Sequence, residues 1–157
     1  ARGTCYRGIA CYLTGQPSTP TAAQITAQEA QQRMLREVLS GARGLVEAVD
    51  IHLYHQTDTV ALRVAWAQSL LATYGLRQPL WATEVGGPDP AVAEYSDAAQ
   101  AEELRARLDT LTELGLPVIC WLNLFESGDS WRWGRMGLVR DTLPKPAYWT
   151  FAEFTGG

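Results

Sequence analysis

Apolar positions along the chain recur at two different periods, and the two alternate. Residues 48–54 (AVDIHLY), 80–84 (LWATE) and 118–124 (VICWLNL) are short, rich in β-branched and aromatic side chains, and read as strands. Between them the apolar spacing changes to three and four. Val60, Val64, Ala67, Leu71 and Tyr74 fall on one helical face, with Gly75 as the stop. Asp97 reads as the N-cap of a helix carrying Ala98, Ala101, Leu104, Leu108 and Leu111, which Gly115 ends. Upstream, 22–39 reads as a helix stopping near Ser40-Gly41, and 9–13 as a further strand followed by a turn-rich stretch over 14–21. Pro146 is placed to open a last helix over 147–154.

Strand and helix alternate with about 30 to 37 residues from one strand to the next, the mark of parallel βα units. Two architectures fit: an open doubly wound sheet, or part of a (β/α)8 barrel. A whole barrel takes roughly 250 residues. The 157 residues here make about half of one. No linker or low-complexity stretch divides them, so 1–157 reads as a single, partial barrel domain.

Composition narrows the function classes. At 46% apolar and 19% charged the chain has enough material for a buried core and is not a disordered sequence. A net charge of −4 offers no field to hold a polyanion, so nucleic acid is not an expected partner. No apolar run reaches the roughly 18 residues of a membrane span. Three cysteines (Cys5, Cys11, Cys120) do not imply a disulfide framework, and whether Cys5 and Cys11 pair is left open. Six tryptophans are many for this length. Their broad rings suit cores, interfaces and flat stacking platforms.

In a parallel α/β fold, reactive side chains collect at the C-terminal ends of the strands. Period two puts Asp50, His52 and Tyr54 on one face of the first strand, with Ile51 and Leu53 on the other toward the helices. On the second strand Glu84 shares a face with Leu80 and Ala82. On the third, Trp121 shares one with Ile119 and Asn123, leaving Val118, Cys120 and Leu122 toward the helices. Neighbouring strand ends thus offer His52 and Tyr54, then Glu84, then Trp121 and Asn123. A carboxylate beside a phenol, an imidazole and an indole suits holding a sugar and attacking its anomeric carbon. Trp131 and Trp133, in the Trp-rich loop over 125–135, are candidates to floor a more distant subsite.

These residues also carry a resemblance. Trp81-Ala82-Thr83-Glu84-Val85-Gly86 resembles the W-x-T-E-x-G end of the seventh strand in the clan of (β/α)8 retaining glycosidases that includes cellulase-like family 5 and β-xylosidase-like family 39. Asp50-Ile51-His52-Leu53-Tyr54 resembles the sixth strand, Trp121 the eighth-strand tryptophan, and Gly137-Leu138-Val139 through Lys145-Pro146-Ala147-Tyr148 the return into the last helix. The four pieces follow the clan's order from about residue 49 to 154. The resemblance implies α/β architecture as the C-terminal half of a TIM barrel, about strands 5–8, and a glycoside hydrolase with Glu84 as nucleophile. It implies His52, Tyr54 and Trp121 in the sugar site, a β-linked oligo- or polysaccharide as substrate, no cofactor, and a secreted or periplasmic setting.

One departure limits the expected activity. The clan's acid/base is a Glu, usually after Asn, on the fourth strand, and the first asparagine here is Asn123. The partner carboxyl is therefore expected upstream of Ala1, and the chain alone is expected to be inactive. Its partners would be a carbohydrate and the missing N-terminal half-barrel, or a second copy of itself, since a half-barrel leaves open strand edges.

Plainer readings stand beside these. Glu84 could cap a loop or pair an arginine, and His52 and Tyr54 could be satisfied core groups. Asp50, deeper on the same face, reads as structural. His52 and His55 point to opposite faces of a strand, which excludes a shared metal ion. Trp131 and Trp133 could simply pack their loop, whereas Trp66, Trp81 and Trp149 are expected in the core. Glu126 and Asp129 are distant candidates for a substitute acid, and Cys120 is expected as a buried thiol. Two other functions fit: a sugar-binding half-barrel without catalysis, and a self-contained α/β protein of four units.

Overall fold

The computed structural model describes residues 21–54, 57–88, 94–127 and 134–156. The expected strand at 9–13, Cys5, Cys11, His55, Asp129, Trp131 and Trp133 lie outside the described residues. Helix α1 (Ala22–Gly41) leads into strand β1 (Val49–Leu53), helix α2 (Thr57–Thr73), strand β2 (Leu80–Val85), helix α3 (Asp97–Glu113) and strand β3 (Ile119–Trp121). A 3-10 turn (Gly134–Met136) precedes a two-residue hairpin, β4 (Val139–Arg140) and β5 (Leu143–Pro144), before helix α4 (Pro146–Thr155).

The three strands form a parallel sheet in the order β1-β2-β3, as their helical connections require. The fold is mixed α/β. One face of the sheet meets the helices. Leu53, Leu80, Ala82 and Val85 pack there with Val60, Val64, Ala67 and Leu71 of α2 and Leu111 of α3. A second cluster joins Leu104 and Leu108 of α3 to Leu138 and Ala147, with Phe151 and Phe154 of α4 against it. The α2 stripe at 60, 64, 67 and 71 is the one the spacing predicts. Ser96, rather than Asp97, caps α3, its hydroxyl accepting from Ala99 N at 3.0 Å. Gly115, at φ 73°, takes the left-handed turn that ends the same helix.

The other sheet face is open, and it corrects several expectations. Trp81 is 38% exposed because it alternates with buried Leu80 and Ala82. Trp66 and Trp149 are 45% and 60% exposed, each off the buried stripe of its helix. Cys120 is exposed, since Ile119 and Trp121 take the helix side of β3. The hairpin was not anticipated: strands of two residues carry no periodic signal.

Candidate active site

The site grows from an irregularity in the sheet. Against β1, pairing moves from Asp50↔Trp81 to His52↔Glu84, two residues on one strand against three on the other. Against β3 it moves from Ala82↔Ile119 to Val85↔Trp121, again two against three. Strand β2 therefore carries an extra residue near Thr83, a bulge that both neighbours register. The alternation resets there. Leu80, Ala82 and Val85 are buried among the core residues, while Thr83 and Glu84 meet the polar side chains of β1. Strict alternation would have kept Glu84 on the face of Leu80 and Ala82, so this assignment is corrected.

The bulge brings Glu84 to His52 and Tyr54. The Tyr54 hydroxyl donates to Glu84 Oε2. His52 Nδ1 lies 3.1 Å from the same oxygen, and His52 Nε2 lies 2.9 Å from Asp50 Oδ2. Asp50 Oδ1 accepts from Thr83 Oγ1 at 2.6 Å and from Thr83 N at 3.2 Å. The imidazole meets the Tyr54 ring edge-on, with centroids 6.4 Å apart. Glu84 Oε1 takes no hydrogen bond or ion pair among the described residues, and the Glu84 side chain keeps 38% of its surface. One carboxylate oxygen is thus held by two groups while the other is presented.

Charge follows from these contacts. Burial acts to raise the Asp50 pKa, but hydrogen bonds from Thr83 and the proximity of His52 outweigh it and hold the carboxyl below its usual value. The Tyr54 phenol is pushed up, first by burial and then by its hydrogen bond to Glu84 and the charges of Glu84 and Asp50. It stays protonated and remains a donor.

The glycine after the strand is required by close approach. A Cβ on Gly86 would lie 2.6 Å from Met136 Sδ and 3.3 Å from Tyr54 Cδ1, so any side chain there would press on the ring that holds Glu84.

Trp121 ends β3 beside Val85, partly buried against both core clusters, with its indole N–H donating to Met136 O at 3.0 Å. Asn123 follows, its side-chain oxygen buried with no hydrogen-bond partner among the described residues. Among the described residues, no group of three or more His, Cys, Asp or Glu could hold a metal ion.

A second polar cluster, largely missed in the sequence, anchors the wall behind Trp121. Lys145, the chain's single lysine, is 3% exposed. Its Nζ lies among four oxygens that share its three hydrogens, Glu126 Oε1 at 2.7 Å, Tyr95 Oη at 2.6 Å, Gly137 O at 2.8 Å and Arg135 O at 3.0 Å. Arg140 bridges Glu126 and Asp97, and Gln100 Nε2 donates to Met136 O at 2.8 Å. Glu126 is thereby committed to two cations, so it is no free substitute acid.

Neither a family model nor a curated protein matches the sequence. Among solved structures, the chain is similar to the crystal structure of a glutamate-to-glutamine mutant of a GH128 (subgroup I) endo-β-1,3-glucanase from Amycolatopsis mediterranei, at 24% identity and a TM-score of 0.52. The match covers 78% of this chain and 51% of that chain, so this chain spans about half the length of that enzyme. The neighbour is a glycoside hydrolase of family 128, a different family from the two that the motifs resemble. Over most of its length, the chain is similar in fold to about half of that enzyme.

Proposed function

We propose that the chain is the C-terminal part of a retaining glycoside hydrolase acting on a β-linked glucan, with Glu84 as its nucleophile. The observation that carries this reading is the state of Glu84: Oε2 held by Tyr54 and His52, Oε1 presented at the C-terminal end of a parallel strand. Oε1 attacks the anomeric carbon as the bond to the leaving oxygen breaks, forming a glycosyl-enzyme that water then hydrolyses. The acid that protonates the leaving oxygen, and later activates the water, belongs to the upstream half of the barrel. Trp121, which is only partly buried where β3 ends, contributes to the sugar subsites with Asn123, Trp131 and Trp133, and the open strand edges receive the upstream half or a second copy. The β-1,3-glucan named for the similar enzyme is the first substrate to try.

The test bypasses the missing acid. A 2,4-dinitrophenyl 2-deoxy-2-fluoro-β-laminaribioside has a leaving group that needs no protonation. Incubated with the full chain, it is expected to leave one fluorosugar on the peptide containing Glu84, by mass spectrometry, and none in Glu84→Gln. Absence of labelling at saturating reagent, or labelling retained in Glu84→Gln, would refute the nucleophile assignment. Tight binding without labelling would favour a sugar-binding module.

A further inference from the structure

We propose that Asp50 is a positioning residue for Glu84, acting through Thr83 and His52 at once. Its bearing on catalysis rests on the reading of Glu84 as nucleophile; its geometry does not. Thr83 immediately precedes Glu84 in the bulge, and both its N–H and its hydroxyl donate to Asp50 Oδ1. A bulged strand leaves a main-chain donor in need of an acceptor, and the Asp50 carboxylate supplies one from the neighbouring strand. The same carboxylate reaches the imidazole with its other oxygen, Oδ2 to His52 Nε2 at 2.9 Å. This leaves Nδ1 aimed at Glu84 Oε2, 3.1 Å away. One side chain on β1 therefore braces both the backbone that carries Glu84 and the ring that touches it.

An ionised carboxylate only accepts hydrogen bonds, and the ring meets one at each nitrogen, Asp50 at Nε2 and Glu84 at Nδ1. Tyr54, just past β1, meets the imidazole edge-on. Asp50, which sequence alternation marks as structural, thus fixes the orientation of the imidazole and, through Thr83, the backbone that carries Glu84.

Amide hydrogen exchange of the full chain tests this. The Thr83 N–H, which donates to Asp50 Oδ1, is expected to be protected in the unsubstituted chain and to exchange at least tenfold faster in Asp50→Ala, while Asp50→Asn, whose amide oxygen still accepts, keeps the protection. An unprotected Thr83 N–H in the unsubstituted chain, or an unchanged rate in folded Asp50→Ala, overturns the proposal. Should Asp50→Ala fail to fold by circular dichroism, the protection of Thr83 in the unsubstituted chain and in Asp50→Asn decides. The exchange involves no sugar, so its outcome is independent of Glu84 labelling. Where labelling occurs, Asp50→Ala is expected to slow it roughly tenfold, the worth of one misaligned hydrogen bond to a charged group. Unchanged labelling beside faster Thr83 exchange overturns the positioning role.

Discussion

Tyr54 shows how one side chain's chemistry depends on its surroundings. A free tyrosine titrates near pH 10, but burial and the adjacent carboxylates keep this phenol protonated beyond its usual range. Its hydroxyl therefore donates to Glu84 Oε2 at any pH the fold tolerates. Tyr54→Phe keeps the ring and its contact with Gly86 but removes that donor. The fluorosugar labelling of Glu84 is expected to slow by roughly 10- to 100-fold, the range for a hydrogen bond to a charged group. Equal labelling rates in the two proteins would mean that the phenol does not act on Glu84. The residue types at 52, 54 and 84 were legible as candidates, and strand period two puts Asp50 on the same face as His52 and Tyr54. Their assembly with Glu84 was not, because the extra residue in β2 defeats the alternation that a sequence reading must assume.

At the scale of elements, local signals and tertiary contacts divide the work. The helix starting at Asp97 is visible in its apolar spacing, yet Asp97 itself is taken by Arg140 at 2.7 Å, and Ser96 makes the cap. Ser96→Ala leaves that tertiary ion pair in place and removes only the bond to Ala99 N. It should cost about 1 kcal/mol, lowering Tm by roughly 2–4 °C for a chain of this size. A thermal melt indistinguishable from the unsubstituted protein would show that another group takes over the cap. The β4–β5 hairpin lay beyond such signals. Its turn holds Asp141 and Thr142 at φ 47° and 72°, and its strands owe their existence to Leu138, Lys145 and the bridge between Phe125 and Val139. The exposed tryptophans make the same point. Hydrophobic size predicts burial on average, but a ring off the buried stripe goes where its element points it.

For the whole molecule, the Lys145 cluster ties α3, the segment after β3 and the start of α4 into one body. Its carboxyls give the fold an acid dependence. Hydrogen bonds from Arg140 lead in holding Asp97 below its usual value. Burial raises Glu126, but hydrogen bonds from Arg140 and Lys145 outweigh it and leave the net shift downward. The unfolded chain then takes up protons first as pH falls. The resulting stability is present in full above the ordinary carboxyl values near pH 4 and is lost as pH drops through the depressed folded values. The urea midpoint is expected to fall between pH 5 and pH 3, and Lys145→Met should lose part of that slope. Lys145→Met should also destabilise the fold by roughly 3 kcal/mol, the lower end for a broken buried pair, because Glu126 keeps Arg140. A midpoint independent of pH over this range would contradict the coupling.

The sequence by itself determined the succession of strand and helix and the parallel sheet, and it marked Glu84, His52 and Tyr54 as candidates, because periodicity and residue chemistry are local properties. The tertiary structure decided which face Glu84 and Cys120 occupy, that Asp50 braces Thr83 and His52, and that a lone lysine is buried beneath a network of acceptors. A bulge shifts register by a single residue and a buried charge is stabilised only by partners far along the chain, so neither leaves a periodic trace to read.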